Sequence, residues 1–257
     1  TNQTFDPLTS ATRISRGATL WQGSSAYDGE YFCFDGNDYL GTWDGSFSLP
    51  LSQCAQFILQ RPLSIQRVAR STRGAYANGG GYQPEISDDG RYVAFQSYST
   101  NLVPEVTNTT AQVYRLDRRT GFLQLVSASA AGVPGNAASS DPAISADGRY
   151  VAFASTAGNL VGTAGSQFGD VYRKDLTTGA VVRVSPVQSG SFGCGYPSLS
   201  TSARYVAYRC TTATPLVLGS LRFTDLTAGT TRTILPSAIY VSAPRVSGNG
   251  AIVVFDT

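Results

Sequence analysis

The chain has 257 residues, 42% of them hydrophobic and 14% charged, enough apolar surface for a substantial core in one large domain or two ordinary ones. Its formal net charge of +2 is too small to point to nucleic acid or an anionic membrane as a partner. It has no His, which excludes a Ser-His-Asp triad and histidine metal ligation, and no apolar run long enough for a membrane helix.

The first element in chain order is residues 4–16, TFDPLTSATRISR, two strand-like runs around a turn holding Asp6. Residues 25–34, SAYDGEYFCF, then read as a β-hairpin with an Asp-Gly turn. Clearer copies of that hairpin follow. Residues 83–97 read QPEISDDGRYVAFQS, 141–155 DPAISADGRYVAFAS, 196–209 YPSLSTSARYVAYR and 243–255 APRVSGNGAIVVF. Every hairpin but the last is followed by a second strand pair, worn at 56–70 and clear at 111–127, 169–186 and 219–236. In the clear pairs Asp117, Asp175 and Asp225 are placed to accept hydrogen bonds from the turn backbone, and Gly121, Gly179 and Gly229 to supply positive φ.

Each unit is therefore four antiparallel strands, A and B from the hairpin, C and D from the second pair. A four-stranded unit recurring every ~40–60 residues points to propeller blades. The last hairpin lacks a C-D pair, the first C-D pair lacks a hairpin, and the two halves are complementary. The expected fold is an all-β, five-bladed β-propeller of four-stranded antiparallel blades, its ring closed by N-terminal C-D strands that complete the C-terminal A-B hairpin. The blades run over residues 17–70, 71–127, 128–186, 187–235, and 236–257 together with 1–16, as a single domain.

The words P-x-I-S-x-D-G-R-Y-V-A-F-x-S at residues 84–97 and 142–155 resemble the TolB-type, WD-like propeller repeat of bacterial exported proteins. So do the spacers Asn101-Leu102-Val103 and Asn159-Leu160-Val161, and the V-Y-R-x-D-x-x-T-G words after them. The resemblance implies the propeller fold and a family of periplasmic protein-binding modules and surface or secreted proteins. It implies little about chemistry.

The chain does not begin with Met, so it is expected to start inside a longer precursor or after processing. Four cysteines, few charges and abundant Ser, Thr and Gly suggest an exported protein: secreted, periplasmic or at the cell surface. Reflecting the fourth hairpin about Ser202 sets Cys194 opposite Cys210, within disulfide reach. Cys33 and Cys54, flanking a long loop in blade one, are then left to pair. A zinc site would need CxxC spacing or His partners, and neither is present.

The A-B and C-D turns are tight and formulaic and share one end of the blades. The B-C and D-A connections at the other end are long and dissimilar, and binding is expected there. The richest loop, residues 34–47, offers Trp43 and Tyr39 beside Asp38 and Asp44, with Trp21 nearby. Aromatic faces with adjacent carboxylates suit a sugar ring, although Trp43 and Tyr39 could equally plug the channel or cap a blade interface. Asp38 and Asp44 are also candidates to help hold Ca²⁺, although no EF-hand loop is present; no other cofactor and no metal site are expected. Glu85 and Asp141, near the start of strand A, should line the central channel, with Arg245 at the position equivalent to Glu85. The expected function is an exported, non-enzymatic module binding a glycan or protein on the B-C/D-A face. One alternative is a glycoside hydrolase acting through Glu85 and Asp141. Another is a structural subunit of a surface assembly, in which copies of the chain self-associate.

Overall fold

The computed structural model describes residues 39–41, 48–50, 68–162, 167–186, 192–212, 219–238 and 243–256. The chain divides into two compact units, Thr1–Gln66 and Arg67–Thr257. In the first unit, β1 (Tyr39–Gly41) pairs antiparallel with β2 (Ser48–Pro50), Tyr39 opposite Pro50. The stretch expected to be an irregular B-C connection thus contains a short hairpin.

Among its described residues the second unit holds three four-stranded antiparallel sheets and one hairpin. The first sheet runs β3 (Tyr82–Ile86), β4 (Tyr92–Ser97), β5 (Gln112–Asp117), β6 (Leu123–Leu125). The second runs β7 (Ser139–Ile144), β8 (Tyr150–Ser155), β9 (Asp170–Asp175), β10 (Val181–Arg183). The third runs β11 (Phe192–Leu199), β12 (Tyr205–Thr212), β13 (Gly219–Asp225), β14 (Thr230–Ala238). β15 (Arg245–Val246) and β16 (Val253–Val254) form the final hairpin. Strand order follows chain order in every sheet, as expected for A-B-C-D blades. Residues 1–16, and most of the expected first blade, lie outside the described residues.

The Y-V-A-F words form strands because β-branched and aromatic side chains suit a pleated surface covered by neighbours. A one-sided sheet would bury alternate residues. Here β4 and β8 bury five consecutive positions after the first Tyr, because both faces are covered. One core cluster joins Ala94, Val113 and Val126 of the first sheet to Val151, Phe153 and Tyr172 of the second. Another joins Val171 and Val184 to Val206, Tyr208, Cys194 and Cys210.

The formulaic turns also connect the sheets. Asp88 N–H donates to Ala146 O at 3.1 Å, Ala146 N–H to Thr201 O at 3.3 Å, and Thr201 N–H to Gly248 O at 3.0 Å. The A-B turns of four successive repeats are thereby strung together by backbone hydrogen bonds. The Arg of each R-Y word reaches back to the Asp of its own C-D turn. Arg91 pairs with Asp117, Arg149 with Asp175 and Arg204 with Asp225, each through two hydrogen bonds of 2.6–3.2 Å. The same Asp caps its turn, as in Asp175 accepting from Thr177 N–H at 2.9 Å. The sequence reading found the turn role of these aspartates and missed the arginine.

Candidate functional site

The innermost strands carry the site. β3, β7 and β11 each contain a register shift, at Tyr82/Glu85, Ser140/Ala143 and Gly195/Ser198. At each shift a non-glycine residue precedes a proline in the left-handed region: Gln83 (φ 49°), Asp141 (φ 51°) and Tyr196 (φ 53°). An L-residue there is strained, and the bulge re-aims its side chain. The result is a cavity of about 330 Å³ lined by Gln83-Pro84-Glu85, Asp141-Pro142, Tyr196-Pro197 and Ala243-Pro244-Arg245.

Glu85, Asp141 and Arg245 thus share this cavity. Arg245 Nη1 lies 3.2 Å from Glu85 Oε1. Asp141 is held by its neighbours: Gln83 Nε2 donates to Oδ1 at 2.6 Å, Ser140 Oγ donates to Oδ2 at 3.1 Å, and Asp141 N–H donates to Gln83 Oε1 at 3.1 Å.

A second cavity, about 220 Å³, opens between β7-β8 and β11-β12 at the loop end. Its walls include Ser140, Asp141, Phe168, Tyr196, Arg209 and Cys194. Asp141 and Tyr196 line both cavities, so the two adjoin through these two residues. The Arg209 guanidinium lies over the Tyr196 ring, 5.0 Å from its centroid. Phe168 and Tyr196 are exposed at this end, and so are Tyr82 and Tyr98, which meet edge-to-face at 5.7 Å in the first sheet. The cleft therefore presents both charges beside aromatic faces.

Cys194 and Cys210 face each other across β11 and β12 and are joined by a disulfide. In the neighbouring sheet the equivalent pair is Ser139 and Ser155, whose hydroxyls hydrogen-bond at 2.9 Å. The disulfide replaces that bond and fixes the wall of the cleft beside Tyr196.

The loops around the cleft are less dissimilar than the sequence suggested. Asn101 accepts from Asn78 N–H at 3.1 Å and donates to Tyr76 O at 2.8 Å. Asn159 does the same with Asn136 N–H at 3.0 Å and Pro134 O at 2.9 Å. The Asn-Leu-Val spacers are thus clasps between the B-C and D-A loops, with Leu102 and Leu160 buried beneath. Trp21, Asp38, Trp43, Asp44, Cys33 and Cys54 lie outside the described residues. Tyr39 is described only as the first residue of β1. Among the described residues no group of three or more Cys, Asp or Glu side chains gathers in the manner of a metal site.

Tyr196 and Arg209 were not singled out from the sequence. The available signal was variability: the repeat position of Tyr196 holds Gln83, Asp141 and Ala243 in the other copies, and that of Arg209 holds Gln96, Ala154 and Asp256.

These strands define an all-β protein of four-stranded antiparallel sheets with β-propeller neighbours. It shares a fold with β-propeller proteins of known structure. An oligogalacturonate lyase in complex with manganese aligns over 87% of this chain and 54% of its own, at 13% identity and a TM-score of 0.50. Dipeptidyl peptidase 4 of Porphyromonas gingivalis aligns over 99% of this chain and 39% of its own, at 14% identity and a TM-score of 0.50. TolB from Acinetobacter baumannii aligns over 84% and 42%, at 14% identity and a TM-score of 0.45. The chain spans about half or less of the length of these solved proteins. No protein-family model and no curated protein matches the sequence.

Proposed function

We propose that the chain is an exported, non-enzymatic binding module whose loop end takes an exposed segment of a protein partner. The observation that carries this reading is the cleft in which Tyr196 and Arg209, at variable repeat positions, meet Asp141. Tyr, Phe and Arg around a concave site are the side chains that anchor protein interfaces, and the opposite charges fix a partner's register. A non-enzymatic role is supported by the carboxylates themselves. Glu85 is neutralised by Arg245, and Asp141 is engaged by Gln83 and Ser140, so the two are occupied as structural acceptors. Export is supported by the disulfide. The glycan reading rests on Trp21, Tyr39 and Trp43, for which the described residues offer no side-chain geometry.

The same proposal includes closure of a five-bladed ring by residues 1–16. Support comes from β16, the outer strand of a two-stranded sheet among the described residues: its Val254, and Ile252 just before it, are each 63% exposed. An apolar edge of that kind calls for a covering strand.

Selection from a phage-displayed peptide library tests the binding role. Selected peptides should lose about tenfold or more in affinity on Tyr196→Ala or Arg209→Ala, and little on Arg119→Ala at the turn end. Peptides indifferent to both loop-end changes would overturn the assignment, and turnover of a polysaccharide panel abolished by Glu85→Gln would replace it with the hydrolase.

A further inference from the structure

The only lysine in the chain, Lys174, stands where the fold does not ask for one. Its strand position, opposite Val151, is filled by Leu116 in the preceding sheet and Thr224 in the following one. Lys174 is 4% exposed. Its Nζ donates to Ala128 O at 2.8 Å, with Ser129 O at 3.4 Å, and among the described residues no carboxylate forms an ion pair with it. A buried ammonium satisfied only by neutral carbonyls is costly, and burial lowers its pKa to about 8. It therefore remains largely protonated at neutral pH.

Lys174 lines a groove of about 400 Å³ between the C-D side of the first sheet and β9. The rest of the groove is mainly apolar: Val103, Pro104, Phe122, Leu123 and Leu125, with Phe122 59% exposed. Glu105 also lines the groove and is exposed to solvent. An apolar trough of this size with one unneutralised cation is complementary to a molecule with one apolar end and one anionic end. The groove lies apart from the cleft at Tyr196 and shares no residue with it.

We infer that the groove between the second and third blades is a binding site for a small amphipathic carboxylate of the fatty-acid type, its tail against Phe122 and Leu125 and its head on Lys174. The carboxylate supplies Lys174 with the ion-pair partner it lacks among the described residues, and the apolar tail covers the exposed Phe122 ring.

A single lysine makes the test specific, because ¹⁵N-lysine labelling gives one side-chain reporter. Titration with octanoate should shift the Lys174 Nζ resonance saturably, and raise the pH at which it deprotonates. 1-Octanol, with the same tail and no charge, should bind about tenfold more weakly or worse. Phe122→Ala, a change at an exposed position, should weaken octanoate about fivefold or more, and Lys174→Met should abolish the preference for octanoate over octanol. Equal binding of the two ligands, no saturable shift, or octanoate binding unchanged by both substitutions would overturn the assignment.

Discussion

Gly148→Ala is expected to cost about 2–5 kcal/mol of folding stability, from two separate effects. Gly148 sits at φ 70°, where an L-residue is disfavoured by about 1–2 kcal/mol. Its Hα side also faces the ring of Tyr92 in the preceding sheet. An added Cβ would overlap Tyr92 Cδ2 and lie 2.6 Å from Cγ. The ring is flanked by Arg91 and Arg115, whose Cζ atoms lie 4.7 and 4.5 Å from its centroid. Arg115 Nη1 in turn donates to Gly148 O at 2.7 Å, so the turn is tied to the sheet it presses on. Shifting the ring to admit the methyl costs about 1–3 kcal/mol for overpacking. The fourth repeat gives a control. Ala203 occupies the equivalent place at φ 55° with its methyl buried and Arg173 Nη1 donating to its carbonyl at 2.8 Å, so Ala203→Gly trades relief of left-handed strain against loss of a buried methyl and should change stability by less than about 1 kcal/mol. Urea denaturation of both variants checks the pair. A Gly148→Ala protein within about 1 kcal/mol of the parent would show that the turns do not lock the sheets.

Acid is expected to destabilise the protein progressively below about pH 4, through three equivalent carboxylates. The hydrogen-bonded Arg91, Arg149 and Arg204 guanidinia hold Asp117, Asp175 and Asp225 well below the usual carboxylate range, and the turn N–H groups add to the effect. The sign follows directly. The unfolded chain takes up protons near pH 3.9, whereas the folded one resists until lower pH. Their contribution is therefore complete above about pH 5 and is lost progressively as pH falls through the folded values. The arginine side chains are 38–44% exposed, so solvent and salt weaken each pair, and the consequence is best read from the pH profile. Asp175→Asn should lower the denaturation midpoint at pH 6, and the gap to the parent should close as pH approaches 2. Parallel profiles at every pH would mean that the pairs do not carry the acid response.

The fold was legible because one hairpin is written repeatedly, and its Asp-Gly turns, alternating apolar residues and Thr-Gly turns name strands and corners directly. What the words did not show was how the sheets are joined. The R-Y arginine reads as a surface charge, and only the register that sets Tyr92 opposite Asp117 reveals its partner. The site was harder for a related reason. The aromatic loop holding Trp43 lies outside the described residues, and the cleft is built from two positions that differ in every copy of the repeat. Tyr196 and Arg209 are ordinary residue types. They gain meaning only when a bulge and a paired strand bring them over Asp141. Lys174 is of the same kind, a strand position whose copies are Leu and Thr.

The central claim is that one end of the blades builds the protein and the other binds. Hydrogen–deuterium exchange with a library-selected peptide tests it most directly. The account predicts added protection in residues 139–141, 154–156 and 193–196, around the cleft, with no change in the A-B turns at 88–91, 146–149 and 201–204. Protection confined to those turns, with the cleft unaffected, would contradict it.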